Sequence, residues 1–144
     1  MSTPASPPAL DATTQTWLEN FIRANGGVAG TVHRKVAPEL LALSAAVNIP
    51  PPVVEIVRSI PRGKGMAGLA FEYDEPISTC NLKDDVSGRV RPGAKAVNAQ
   101  AAVAFPIHDA SGAVRAVVGI AYLGERELGK AEVDQLTEQA NTLP

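Results

Sequence analysis

Residues 50–71 read PPPVVEIVRSIPRGKGMAGLAF, and the interpretation of this stretch decides between two folds. Gly63, Gly65 and Gly68 match the G-x-G-x-x-G spacing that holds a dinucleotide pyrophosphate at a helix N-terminus. That fold requires a buried parallel strand before the first glycine and an acidic residue about 20 positions later. The structure of residues 53–57 therefore decides whether the glycines can bind phosphate.

The residues before the glycines favour a helix rather than such a strand. The three prolines at 50–52 supply a helix start, because the first helical turn accepts proline. The apolar residues that follow recur with helical spacing: Val53, Val54, Ile56, Val57 and Ile60. Pro61 has no N–H to donate within a central strand. We therefore predict a short helix over residues 50–60 and a glycine turn with a structural role.

Composition limits the classes of function and partner. The chain has 144 residues, of which 45% are hydrophobic, and a formal net charge of −2, which fits one globular domain. This charge gives no electrostatic reason to bind nucleic acid or an anionic membrane. Residues 1–10 lack the basic and apolar regions of a secretory signal. We therefore predict a cytoplasmic protein without nucleic-acid or membrane partners, with a disordered leader over residues 1–10 and a single domain over 11–144.

The remaining patterns predict an α+β fold with a mostly antiparallel sheet. Asp11 or Thr13 can cap a first helix that ends at residues 25–27, and Thr16 with Glu19 resembles a capping box. A last helix is predicted over residues 130–141, and a short one over 66–71. Strands are predicted over residues 28–34, 40–49, 76–80, 101–108 and 113–122.

The polar stretch over residues 81–100 is the longest segment without a periodic pattern. Its charged side chains are Asp84, Asp85, Arg89, Arg91 and Lys95. An irregular stretch of this length inside a compact domain is commonly a lid, a binding loop or a disordered segment. Two interpretations stay open: a solvated surface loop, or a lid whose Arg or Lys side chains pair with an anionic ligand oriented by Asn81 or Asn98.

Taken in order, several segments of the chain resemble a GAF domain. They are Ile60-Pro61 with the glycine turn, Ala70 leading to Pro76, the strand AVAFPI at 102–107, the turn at Gly112, and VVGIA at 117–121. The resemblance spans about residues 11–142 of the sequence. It implies a GAF-like fold, with a central sheet flanked by N- and C-terminal helices. It also implies a ligand pocket on one face of the sheet, covered by residues 66–71 and 80–98.

The resemblance implies a sensory or regulatory domain that binds a small ligand, with anions as candidates, between the sheet and residues 66–98. The candidate ligand-binding residues are Thr31, His33, Phe71, Cys80, Asn81, Asp85, Arg89, Arg91 and Asn98. No catalytic residue and no cofactor is assigned, and the two histidines and the cysteine lack the paired spacing of zinc ligands. The expected partners are the ligand, a second copy paired through the terminal helices, and a separate output protein.

Two alternatives stay open: a thiol-dependent reductase on the same scaffold, and a ligand-free dimerisation scaffold. The reductase would depend on Cys80, the single cysteine of the chain, which also fits a small buried hydrophobic residue. A GAF-fold relative reduces free methionine sulfoxide with cysteines in the loop before the fourth strand, and residues 84–100 contain none. Bilin-binding relatives attach their pigment to a cysteine usually followed by histidine, whereas Asn81 follows Cys80.

Overall fold

The computed structural model of the chain describes residues 11–79, 101–122 and 130–144. Within these ranges the helices are α1 (Ala12–Ala24), α2 (Pro51–Val57), α3 (Gly65–Tyr73) and α4 (Lys130–Ala140). The strands are β1 (Ala29–Ala37), β2 (Leu40–Val47), β3 (Ser59–Pro61), β4 (Ile77–Thr79), β5 (Ala101–His108) and β6 (Val114–Tyr122). The predicted leader and the polar stretch at 81–100 lie outside the described residues.

The described strands form one sheet of six strands in the order β3-β2-β1-β6-β5-β4. Every pair of neighbours is antiparallel. The long strands β1, β6 and β5 occupy the centre, and the two three-residue strands β3 and β4 lie at the edges. The predicted α+β fold with an antiparallel sheet is confirmed.

One face of the sheet packs closely against α1 and α4, which are the first and last helices described. Leu18 and Phe21 of α1 and Leu136 of α4 share a buried cluster with large side chains of the central strands. Those strand residues are Val32, Val103, Phe105, Ile107, Val118, Ile120 and Tyr122. We call this the packed face. Because side chains alternate along a strand, the intervening residues lie on the opposite face, where α2 and α3 are found.

The start of α1 follows from a side-chain cap. Asp11 is the N-cap residue, and its carboxylate accepts a hydrogen bond from the Thr14 backbone N–H at 3.3 Å. The side-chain hydrogen bond from Thr14 is the main reason that the pKa of Asp11 lies below its ordinary value. The predicted capping box at Thr16 and Glu19 is wrong, because α1 begins at Ala12 and Thr16 is already inside the helix.

Residues 50–71 do contain the predicted helix, although this helix ends earlier than expected. Helix α2 begins at Pro51 and ends at Val57, and β3 then pairs with β2. The prediction of a helix through Ile60 is therefore wrong. Ile60 is 3% exposed and faces Leu41 across the two strands. An apolar residue at that spacing fits either a helix face or a half-buried strand, so the local pattern did not separate them.

The glycine turn between β3 and α3 has the structural role that the sequence predicted. The Gly63 N–H donates to the Gly68 carbonyl at 2.8 Å, and the Gly68 N–H donates to the Lys64 carbonyl at 3.1 Å. A Cβ at position 68 would lie 2.6 Å from the Pro61 carbonyl oxygen, so only glycine fits. These two N–H groups are used within the turn, and β3 is an antiparallel edge strand. Both features differ from a dinucleotide-binding loop.

Candidate functional site

A cavity of about 130 Å³ lies on the face of the sheet opposite the packed face. Six small residues of the central strands form its floor: Ala29, Thr31, Ala102, Ala104, Gly119 and Ala121. We call this the small-residue face. The wall is formed by apolar side chains in and around α2, β3 and α3: Ile49, Val53, Val57, Ile60, Met66 and Ala67. His33, at the end of the floor, also lines the cavity.

The cavity exists because the strand register aligns the small residues in rows. One row across β5, β6 and β1 is Ala104, Gly119 and Thr31, and the next is Ala102, Ala121 and Ala29. Facing residues on one side of an antiparallel sheet are direct neighbours. Side chains this short leave a gap beneath α2 and α3, whereas protein interiors are otherwise packed to crystal-like density.

His33 connects the floor of the cavity to its wall. The residue is 2% exposed, and its Nε2 atom lies 2.8 Å from the carbonyl oxygen of Val57. A carbonyl oxygen can only accept, so Nε2 carries the hydrogen and donates it. Val57 is the last residue of α2, where carbonyl groups lack partners within the helix. His33 therefore holds the C-terminal end of α2 over the sheet.

Thr31 is the second polar side chain of the cavity. Its partner across the β1–β6 pair is Gly119, and a Cβ at position 119 would lie 3.5 Å from the Thr31 Oγ1 atom. The hydroxyl group therefore lies beside the empty space over Gly119. A hydroxyl group can both donate and accept a hydrogen bond. Thr31 can thus bind a single polar atom of a molecule in the cavity.

The structure brings together two of the predicted site residues, Thr31 and His33. Phe71 is buried in a neighbouring cluster with Leu41, Ile60 and Ile77, and the Arg62 guanidinium lies 5.2 Å from the centre of its ring. Phe71 is not among the described residues that line the cavity. The other predicted residues lie outside the described ranges, and their roles stay predictions: Cys80, Asn81, Asp85, Arg89, Arg91 and Asn98.

Apart from Thr31, sequence reasoning missed the small residues of the floor, and it also missed the contribution of α2. The signal was present in the strand at 102–107, where small Ala102 and Ala104 alternate with large Val103 and Phe105. The same alternation occurs in β6, where Gly119 lies between Val118 and Ile120. Such a period of two identifies two faces of a strand. The contribution of Met66 and Ala67 agrees with the segment that was expected to cover a pocket.

The charged groups of the described residues lie away from the cavity lining. The largest effect on Asp109 is the side-chain hydrogen bond from Ser111, which lowers its pKa, and burial lowers the pKa of Arg34.

Across residues 11–79, 101–122 and 130–144, no three His, Cys, Asp or Glu side chains are grouped so that they could hold a metal ion. No helix in those ranges is long and apolar enough to cross a membrane.

Comparisons of whole structures identify the fold. No protein-family model matches the chain, and a search of curated proteins gives no match. The GAF domain of a phosphoenolpyruvate-protein phosphotransferase from Coxiella burnetii superposes with a TM-score of 0.71 at 18% identity. The match covers 92% of this chain and 81% of that chain. This chain has the GAF fold.

Two further solved structures resemble this GAF-like domain. A Staphylococcus aureus NreA protein mutated in its nitrate binding site has a TM-score of 0.74 at 14% identity, over 92% of this chain and 97% of that chain. The type II free methionine-R-sulfoxide reductase of Thermoplasma acidophilum has a TM-score of 0.71 at 15% identity, over 92% and 87% of the two chains. At these identities the likeness concerns the fold alone.

Proposed function

We propose that this GAF-like domain is a sensory or regulatory domain that binds a small ligand in the cavity over the small-residue face. The observation that carries the proposal is the cavity itself, bordered by α2 and α3 on a sheet whose other face is closely packed. NreA, which has a nitrate binding site, shares the fold and supports small-ligand binding on such a scaffold.

The apolar lining of the cavity supports a functional role, because a bound ligand would remove that apolar surface from water and so favour the folded state.

A ligand in this position would contact the sheet and α2–α3 together. Thr31 belongs to the floor, Met66 to the wall, and the His33–Val57 hydrogen bond joins the two. A ligand shifts a conformational equilibrium only by its difference in affinity for the two states. Binding would therefore favour arrangements in which α2 and α3 close on the sheet, and this change is the proposed signal. A lid over residues 80–98 stays a prediction.

The homodimer through the terminal helices and the separate output protein also stay predictions. The exposed residues of α1 include Thr13, Glu19, Asn20 and Arg23, and those of α4 include Asp134 and Glu138. A dimer through these surfaces would depend on polar contacts. Sedimentation velocity over a range of protein concentrations tests it: a monomer at all concentrations would contradict the predicted dimer.

The test of the proposed function is a thermal-shift screen of metabolites against the full chain, followed by native mass spectrometry of the purified protein. A ligand at about 100 times its Kd stabilises the folded state by about 2.7 kcal/mol. Gly119→Val fills the floor and should lose this stabilisation. Ala113→Val, an exposed change just before β6, is the matched control and should keep it. A ligand that stabilises both variants equally would bind elsewhere and contradict the proposal.

A further inference from the structure

We infer that the cavity binds an uncharged, mostly apolar molecule of benzene-like size that carries one hydroxyl, carbonyl or amine group, and that Gly119 sets the size limit. This inference rests on the proposed function and names the class of its ligand. The anion suggested by the charged residues of the polar stretch stays a separate prediction, because those residues lie outside the described ranges. The inference uses only residues that the structure describes.

The volume sets the size of the molecule. Cavities of about 150 Å³ lined by aliphatic and aromatic side chains stay dry and bind benzene or xenon. The cavity here has a volume of about 130 Å³, and its wall is formed by Val53, Val57, Ile60 and Met66 with their neighbours. Its size is therefore comparable to that of the space that holds benzene.

The side chains that line the cavity favour a ligand without a net charge. Its described side chains are aliphatic, with Thr31 and His33 as the polar exceptions, and no described Arg, Lys, Asp or Glu belongs to it. His33 donates from Nε2 to the Val57 carbonyl. Moving an ion from water into such surroundings costs far more than moving an uncharged molecule, unless a counter-charge is present. The described lining therefore favours a neutral ligand.

Thr31 supplies the polar contact. Its Oγ1 atom lies beside the space above Gly119, 3.5 Å from the position that a Cβ of residue 119 would take. A ligand hydroxyl, carbonyl or amine could pair with this hydroxyl, while the rest of the ligand contacts the alanines and the wall. A typical hydrogen bond contributes about 0.5–1.5 kcal/mol, which is about a two- to tenfold change in affinity.

Gly119 sets the size limit because it occupies the middle of a floor row. A Cβ there would lie 3.5 Å from Thr31 Oγ1 and 3.9 Å from the Val103 carbonyl oxygen, which are ordinary contact distances. Gly119→Ala therefore adds one methyl group to the cavity without a backbone clash. Gly119→Val adds three carbons at the same point and should block a benzene-sized ligand.

The experiment measures the affinities of four probes for the full chain by ligand-observed NMR and thermal shift: benzene, phenol, nitrate and inorganic phosphate. We expect benzene and phenol to bind and the two anions not to bind. Gly119→Ala should weaken both aromatic probes, and Gly119→Val should abolish their binding. Thr31→Val, which keeps the shape of the side chain, should weaken phenol by about two- to tenfold and leave benzene unchanged.

The outcomes separate this inference from the proposed function. If an anion binds, Gly119→Val abolishes its binding, and the aromatic probes do not bind, the cavity is a ligand site but its ligand class is wrong. If no probe binds and the metabolite screen finds no ligand either, both proposals are wrong. Equal binding of phenol to wild type and Gly119→Val would place the site elsewhere. Cooperative unfolding of each variant is checked first. If Gly119→Val does not fold, the weaker binding expected for Gly119→Ala is the test of the size limit.

Discussion

The two faces of the central sheet are made from the same strands and yet have opposite properties. On β5, Val103 and Phe105 lie on the packed face, and Ala102 and Ala104 form part of the cavity floor. The alternation therefore gives one strand two separate tasks: large residues exclude water and hold α1 and α4, and small residues leave room for a ligand. Stability and binding should consequently respond to different substitutions.

The packed face is also reinforced by side-chain contacts within α1 and between the α1 region and the C-terminal residues in and after α4. Within α1, the rings of Trp17 and Phe21 stack with their centres 5.0 Å apart. The Trp17 indole N–H donates to Thr142 Oγ1 at 3.0 Å, and the Asn25 amide donates to Gln139 Oε1 at 2.8 Å. On the other face, the described side-chain links between a helix and the central strands are the His33–Val57 hydrogen bond and the contact of His108 in β5 with Asp74, the C-cap of α3. The predictions below test this difference.

The largest effect is expected on the packed face. Phe105 is fully buried, so Phe105→Ala should lower the free energy of unfolding by about 3–5 kcal/mol. Met66→Ala, on the cavity wall, should cost clearly less because Met66 is only partly buried and already borders empty space. Urea denaturation of both variants measures the difference. Equal losses would mean that the two faces do not differ in packing.

The next effect concerns the glycine turn, which joins β3 to α3 and so positions the cavity wall. Gly68→Ala places a Cβ 2.6 Å from the Pro61 carbonyl oxygen and should cost about 1–3 kcal/mol. Gly112→Ala is the control: its surroundings are open, but its φ of +89° should cost about 1 kcal/mol. Thermal unfolding compares them. A neutral Gly68→Ala would show that the turn can move away from α3.

A smaller effect is expected from a substitution on the floor of the cavity, and the next residue, on the packed face, supplies the comparison. Gly119→Ala adds a methyl group to the cavity and should change the free energy of unfolding by less than about 1 kcal/mol. Ile120→Ala, one residue later on the packed face, should cost about 2–5 kcal/mol. Chemical denaturation of the pair gives the sharpest comparison of the faces. A large loss from Gly119→Ala would contradict the presence of free space above it.

The smallest effect concerns the cap of α1 on the packed face. The pKa of Asp11 is lower in the folded state than its value of about 3.8 in the unfolded chain. The charged carboxylate therefore stabilises the folded state fully at pH values above 3.8. This stabilisation is lost as the pH falls through the lower pKa of the folded state. Asp11→Asn should therefore differ from wild type at neutral pH and less so in acid. Urea denaturation across this pH range tests it, with Glu19→Gln, on the exposed side of α1, as control. A difference independent of pH would contradict the role of the charge.

Much of the fold was predictable from residues that are close in sequence. Three consecutive prolines and the following apolar spacing indicated α2, and the turn residues 109–112 separated β5 from β6. Thr31 and His33 were placed on one strand face by their separation of two. Strand β3 was missed because Ile60 fits both the helical and the strand spacing of apolar residues. The pairing of Ile60 with Leu41 depends on a residue 19 positions earlier in the chain.

Hydrophobic periodicity, proline and glycine were enough to specify the helices, most strands and the GAF-like order, because each acts on its immediate neighbours in the chain. The cavity could not be obtained in this way. Its rows join Thr31, Ala104 and Gly119, and their alignment depends on the register between strands that are distant in sequence. An alanine in a strand has the same local pattern whether a helix packs against it or leaves a space, so only the assembled sheet and helices create the candidate site.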